Sequence, residues 1–230
     1  MRLWGTARSA SLWFGAGLVV IQLVWALAIA SFGGYDEHAH YFRASSIPNG
    51  TLLGETVAGV SDAVRLVAVP GDQFPGCPED PYTCPLTTPP LGGPDVEFGT
   101  SAAVYPPAYY GLVGAAAAPF AWPASLLAMR VATALLTGAI AAGCAWISWQ
   151  VWPRGGNGLA LLAVATPATV FLGSTVTPSG VEVWATAGFA IALLGVVREL
   201  SQQQLAPRSW RIVAVVMGGV LLLNLDPPVG

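Results

Sequence analysis

The chain has no lysine. All nine of its basic residues are arginine, and charged residues of both signs make up only 9% of 230. Nothing in it resembles the basic patch or stripe that nucleic-acid binding requires. Histidine is almost absent as well: there are two, His38 and His40. Of three cysteines, Cys77 and Cys84 share a polar segment and Cys144 lies in an apolar one. A Cys-x6-Cys pair with no second pair is not a standard zinc spacing. What remains is 54% hydrophobic with a mean hydropathy of +0.62. Long uncharged runs recur, so the composition points to a helical membrane protein rather than a soluble domain.

The scarce charges are segregated. Nine of the twelve acids lie between Asp36 and Glu97. The densest stretch is Gly33-Gly34-Tyr35-Asp36-Glu37-His38-Ala39-His40-Tyr41-Phe42-Arg43, which begins at the end of an uncharged run from Ser9 to Tyr35. That run is long enough for a helix of roughly 20 residues across a hydrocarbon core about 30 Å thick. A cleaved signal peptide is the competing reading. The apolar part exceeds a typical signal core and lacks a good small-x-small site, which favours an uncleaved span over about Ser11–Phe32. The charged cluster then falls at the water–lipid boundary. A polar juxtamembrane cap is the bland alternative to a reaction centre there.

Residues 33–104 read as a long polar loop rich in proline and glycine. Asp36–Ser46 suits a short helix, stopped by Pro48-Asn49-Gly50. Gly71–Pro94 reads as turn-rich and irregular. On an oxidising face, the loop Cys77-Pro-Glu-Asp-Pro-Tyr-Thr-Cys84 favours a disulfide; a metal pair is the alternative. Tyr105–Trp122 is apolar, but Pro106-Pro107 and Pro119 leave little more than a ten-residue helix, the length of a re-entrant or interfacial segment. Further spans are expected at Ser125–Trp152, Leu159–Ser174, Val181–Val197 and Ile212–Leu225.

Arginine placement orients these spans. If Tyr105–Trp122 does not cross, Arg2, Arg8, Arg154, Arg198, Arg208 and Arg211 share the cytoplasmic side, and only Arg43 and Arg65 lie in the external loop. The expected fold is therefore all-α: a polytopic bundle of about five spans in the plasma membrane. Residues 1–32 form the cytoplasmic N-terminus and first helix, 33–124 the external loop, and 125–230 the rest of the bundle. The abrupt end at Asp226-Pro-Pro-Val-Gly230 suggests a fragment of a longer membrane protein.

The order of motifs resembles the GT-C superfamily of membrane glycosyltransferases. Within it the chain is similar to an actinobacterial multi-pass membrane family of unknown function. The matching residues are Asp36-Glu37-His38-Ala39-His40-Tyr41-Phe42-Arg43-Ala44, the Tyr-Pro-Pro-x-Tyr-Tyr box at Tyr105–Tyr110, Arg130 heading a span, and Pro167-Ala-Thr-Val-Phe171 before Val176–Gly180. In that last turn Thr177 and Ser179 stand where the family has Asn and Asp, which removes a carboxylate.

The resemblance implies transfer of a sugar from a polyprenyl-phosphate donor to an envelope glycan or other acceptor at the external face. Asp36 would be the general base. Glu37 would assist it, and a divalent ion (Mg or Mn) would have Asp36, Glu37 and His40 as candidate ligands. His40, Arg43 and Arg130 are candidates for the lipid phosphate, since guanidinium forks match phosphate oxygens. Tyr105, Tyr109 and Tyr110 are candidates for stacking on sugar. Each has a plain counterpart: loop hydrogen bonding for the histidines, snorkelling for the arginines, an interfacial belt for the tyrosines. Glu182, at the head of a span, reads as a helix-end charge. A non-catalytic scaffold or complex subunit is the competing function. A transporter fits less well, because the spans carry almost no ionisable groups.

Overall fold

A computed structural model describes residues 2–56, 64–77, 84–152, 157–201 and 210–224. Three of its helices are long and apolar enough to cross a membrane. The first, α1 (Arg2–Ala28), contains a 22-residue candidate span from Ala7 with mean hydropathy 1.9. The others are α4 (Ala124–Val151) and α7 (Ser179–Ser201). Small residues set the α1–α4 approach: a Cβ on Gly15 would lie 2.6 Å from the Gly138 carbonyl and 2.7 Å from the Ala142 Cβ. Where helices are surrounded by lipid, such close backbone contact supplies much of the packing attraction. The interior between α1, α4 and α7 is filled by Leu18, Cys144, Ile147 and Trp184, with Met217 from α8 (Trp210–Asn224).

Leu159–Ser174 is not one helix. It divides into α5 (Asn157–Val164) and α6 (Pro167–Leu172), interrupted at Ala165-Thr166. Pro167 cannot continue a helix from α5, because it lacks the N–H and its ring crowds the preceding turn. It opens α6 instead, with the Thr166 hydroxyl accepting from Thr169 N. The expected turn around Arg154, most of the link before Arg211, and the ending from Asp226 lie outside the described residues.

The described residues between α1 and α4 form a folded layer, which carries a sheet that an all-α assignment does not include. Strands β1 (Glu55–Thr56), β2 (Arg65–Val69) and β3 (Val96–Thr100) form an antiparallel sheet in the order β1-β2-β3, with Val67 opposite Phe98. Helix α2 (Glu37–Ser46) lies on it. Phe42 is the pivot, 4.2 Å from the Phe98 ring centroid and 5.1 Å from that of Phe74. The Thr100 hydroxyl donates to Ala39 O at 2.9 Å, stitching β3 to α2.

Helix α2 stops as its sequence suggests. Gly50 takes φ 92°, and Thr51 N reaches back to Ser46 O at 3.2 Å, a glycine-terminated helix end. Helix α3 (Pro107–Ala117) is 11 residues long and packs along the start of α4. Cys77 and Cys84 are joined as a disulfide, and the Ser31 hydroxyl donates to the Cys84 carbonyl.

Candidate functional site

Between α1 and α2 the backbone twice takes the left-handed conformation without glycine, at Phe32 and at Asp36 (φ 51°, ψ 17°). Such a residue costs about 1–2 kcal/mol over a right-handed one. Asp36 precedes α2 yet makes no N-cap hydrogen bond with its side chain. Its carboxylate is exposed and lines a cleft. Glu37 takes over the local ordering. Glu37 N donates to Gly34 O (3.3 Å) while Gly34 N donates to Glu37 Oε2 (3.2 Å), a reciprocal pair that closes the turn into α2.

Glu37 is fully buried and spent on the protein. Oε1 accepts from Arg130 Nε at 2.8 Å and Val176 N at 2.9 Å; Oε2 accepts from Arg130 Nη2 at 2.8 Å. Arg130 in turn donates through Nη1 to Ala26 O and Ile29 O, and through Nη2 to Ala30 O. Every one of its five N–H groups thus has an acceptor. The guanidinium closes the carbonyl end of α1, where a cation is favoured. Both residues therefore position the site; neither offers a free oxygen to a metal ion or a free donor to a phosphate.

Arg43 is likewise turned inward. It donates to the carbonyls of Thr51 and Leu52, and its guanidinium carbon lies 5.9 Å from the Tyr110 ring centroid. Tyr109 is buried, with its hydroxyl 2.7 Å from Thr133 Oγ1. The disulfide is not among the residues lining the cleft.

The cleft itself has a volume of about 350 Å³. Asp36 and His40 come from the α2 region, Tyr105, Pro106 and Tyr110 from the start of α3, and Leu172, Thr177, Ser179 and Glu182 from α6, α7 and the turn between them. The sequence-selected Asp36, His40 and Tyr105 therefore meet, and Glu37, Arg43, Tyr109 and Arg130 stand behind them. Glu182 is the residue that sequence reasoning passed over. Its signal was an acid heading an otherwise uncharged span, the same signal a simple helix-end charge gives.

His40 Nδ1 lies 2.7 Å from the Tyr110 hydroxyl, and its ring stacks at 5.8 Å on Tyr110 and 6.0 Å on Tyr105. Burial pushes its pKa down to about 4 and the nearby His38 adds to this, against the pull of Asp36 and Glu37. The imidazole is neutral at pH 7. Burial also raises the Tyr110 phenol, which stays protonated. The cleft thus presents two carboxylates, a neutral imidazole, phenols and hydroxyls. No arginine is among the described residues that line it. Such a surface can accept a proton from a hydroxyl, hydrogen-bond a polyol and stack on a ring. Among the described residues no group of three or more His, Cys, Asp or Glu is placed to hold a metal ion.

Apolar helices of spanning length and a folded polar layer at one end define an integral membrane protein. The family model described as "Predicted membrane protein (DUF2142)" matches residues 19–225, and the chain belongs to that family. No curated protein matches the chain. No solved structure matches it either.

Proposed function

We propose that the protein is a GT-C-like glycosyltransferase of the plasma membrane, moving a sugar from a polyprenyl-phosphate donor to an envelope glycan or other acceptor. The observation that carries this reading is the placement of Asp36: an exposed carboxylate between α1 and α2, at the start of α2, in a left-handed conformation, within a cleft of phenols and a second acid. On this reading the N-terminus is cytoplasmic, residues 33–124 are external, and the interrupted α5–α6 pair and α8 complete a bundle of about five spans.

The acceptor hydroxyl gives its proton to Asp36 as its oxygen bonds to the anomeric carbon. The bond from that carbon to the phosphate oxygen breaks, and its electron pair leaves on the phosphate. His40 and Tyr110 hold the ring and its hydroxyls, Tyr105 offers a stacking face, and Glu182 orients the sugar from the opposite wall. Magnesium commonly binds through one or two carboxylates together with substrate phosphates. Asp36 and Glu182 are the two carboxylates that line the cleft, and an ion held by them would supply charge for the departing phosphate. A non-catalytic subunit is the second reading. It is favoured by the inward turn of Arg43 and Arg130 and by Ser179 where a carboxylate is expected.

The test is transfer by membranes containing the protein, supplied with labelled polyprenyl-phosphate sugars. Label in a glycan product, above that from membranes lacking the protein, supports an enzyme. No transfer across several donors, by a protein shown to be folded, favours the subunit reading.

A further inference from the structure

A second cavity, of about 390 Å³, lies between α1 and α4 and is lined by Arg8, Ser11, Leu12, Ala139, Gly143 and Trp146, together with Ala142. It is about 30 Å along α1 from the helix end that carries the cleft, at a rise of 1.5 Å per residue. The two helices come close at Gly15 and Gly138, where a Cβ on Gly138 would lie 3.1 Å from the Gly15 carbonyl. Arg8 and Ser11 lie on the N-terminal side of that contact, where the cavity opens. Its floor is made of small residues. At its mouth Arg8 is exposed, and no hydrogen bond or ion pair joins it to a described residue. The Trp146 side chain, half-buried, also lines the cavity. Trp149 and Trp152 follow Trp146 at the end of α4, as in an interfacial aromatic belt.

We propose that this wedge is a binding site for an anionic phospholipid. One acyl chain lies over Ala139, Ala142 and Gly143, and the headgroup phosphate pairs with Arg8. Three features select this ligand. The bilayer surrounds the wedge at that depth. The small residues leave room for a hydrocarbon chain but offer it no polar partner. The guanidinium at the mouth adds a charge-assisted contact that a zwitterionic headgroup, with its own cation, satisfies less well. This site is independent of the cleft and of the proposed transferase activity.

The test is native mass spectrometry of the purified full chain in detergent, with phosphatidylglycerol and phosphatidylcholine added at equal concentration. The wild type retains phosphatidylglycerol with a preference of about tenfold or more, the scale of one charged hydrogen bond. Arg8→Gln brings that preference close to unity, and Arg8→Lys keeps part of it. Ala139→Leu, which fills the floor without touching the charge, lowers retention of both lipids. Inorganic phosphate does not displace the bound lipid. Equal retention by the wild type, a preference unchanged in Arg8→Gln, retention unchanged in Ala139→Leu, or displacement by inorganic phosphate would each overturn the proposal.

Discussion

Glu37 and Arg130 lie 93 residues apart in sequence and meet in a buried ion pair, Oε2 to Nη2 at 2.8 Å, with 0% and 2% of their side chains exposed. The pair joins four pieces of chain: the end of α1, the start of α2, the first turns of α4, and Val176 before α7. A buried pair is a weak net source of stability, because both charges lose their water. Breaking it on one side is costly, since the remaining charge loses its partner and, where Arg130 is the one removed, so do the carbonyls of Ala26, Ile29 and Ala30. What it provides here is geometry: it fixes the turn that presents Asp36.

Removing one partner therefore destabilises strongly. Arg130→Gln and Glu37→Gln should each cost about 3–5 kcal/mol. Arg130→Lys should recover little, because an ammonium offers three donors to a site that uses five. Chemical unfolding in detergent, followed by tryptophan fluorescence, measures each. A double variant costing no more than either single one would show the coupling.

Asp36 should behave oppositely in stability. Its side chain is exposed and caps nothing, so Asp36→Asn should change unfolding free energy by less than about 0.5 kcal/mol. Asp36→Gly should be neutral or stabilising by up to about 1 kcal/mol, because glycine takes positive φ freely. Asp36→Val should destabilise, since a β-branched residue resists that conformation. The same unfolding assay ranks the three.

His40 makes stability depend on pH. Its folded pKa of about 4 lies below the ordinary 6.5, so the unfolded chain binds a proton first as pH falls. Its contribution is fully present above pH 6.5 and is lost as pH drops from 6.5 toward 4. The limit is about 3 kcal/mol, at 1.36 kcal/mol per unit. Unfolding free energies between pH 7.5 and 4 should decline less steeply in His40→Gln than in the wild type.

Gly34 meets a steric limit. A Cβ there would lie 2.8 Å from the Cβ and Cγ2 of Thr175, in the chain that follows α6. Gly34→Ala should cost about 1–3 kcal/mol by overpacking. Gly34→Ala combined with Thr175→Ser, which removes the Cγ2 methyl, should recover part of that loss.

The local features were legible where the signal is local. The uncharged run before Asp36, the short helix ending at Pro48-Asn49-Gly50, and the 11-residue helix bounded by prolines all follow from neighbouring residues. The pairing of β2 with β3 did not, because Arg65–Val69 has too little alternation to stand out and its partner lies some thirty residues on. Leu159–Ser174 read as one span because its hydropathy outweighs Pro167, whose break the structure makes plain. The roles of the arginines were hidden for a physical reason. A guanidinium heading a span looks the same whether it faces a ligand or, as Arg130 does, the carbonyls of another helix. The location of the cleft was legible through Asp36, His40 and Tyr105; its far wall, with Glu182, depends on a fold that only long-range contacts define.

The central claim is that Asp36 takes a proton from the acceptor during sugar transfer. The direct measurement compares wild type with Asp36→Asn at equal amounts of folded protein, using labelled polyprenyl-phosphate sugar and scoring label in a glycan product. The account predicts transfer by the wild type and a loss of about a hundredfold or more in the variant, the scale of a general base, with unfolding free energy unchanged. Equal transfer by both would contradict it.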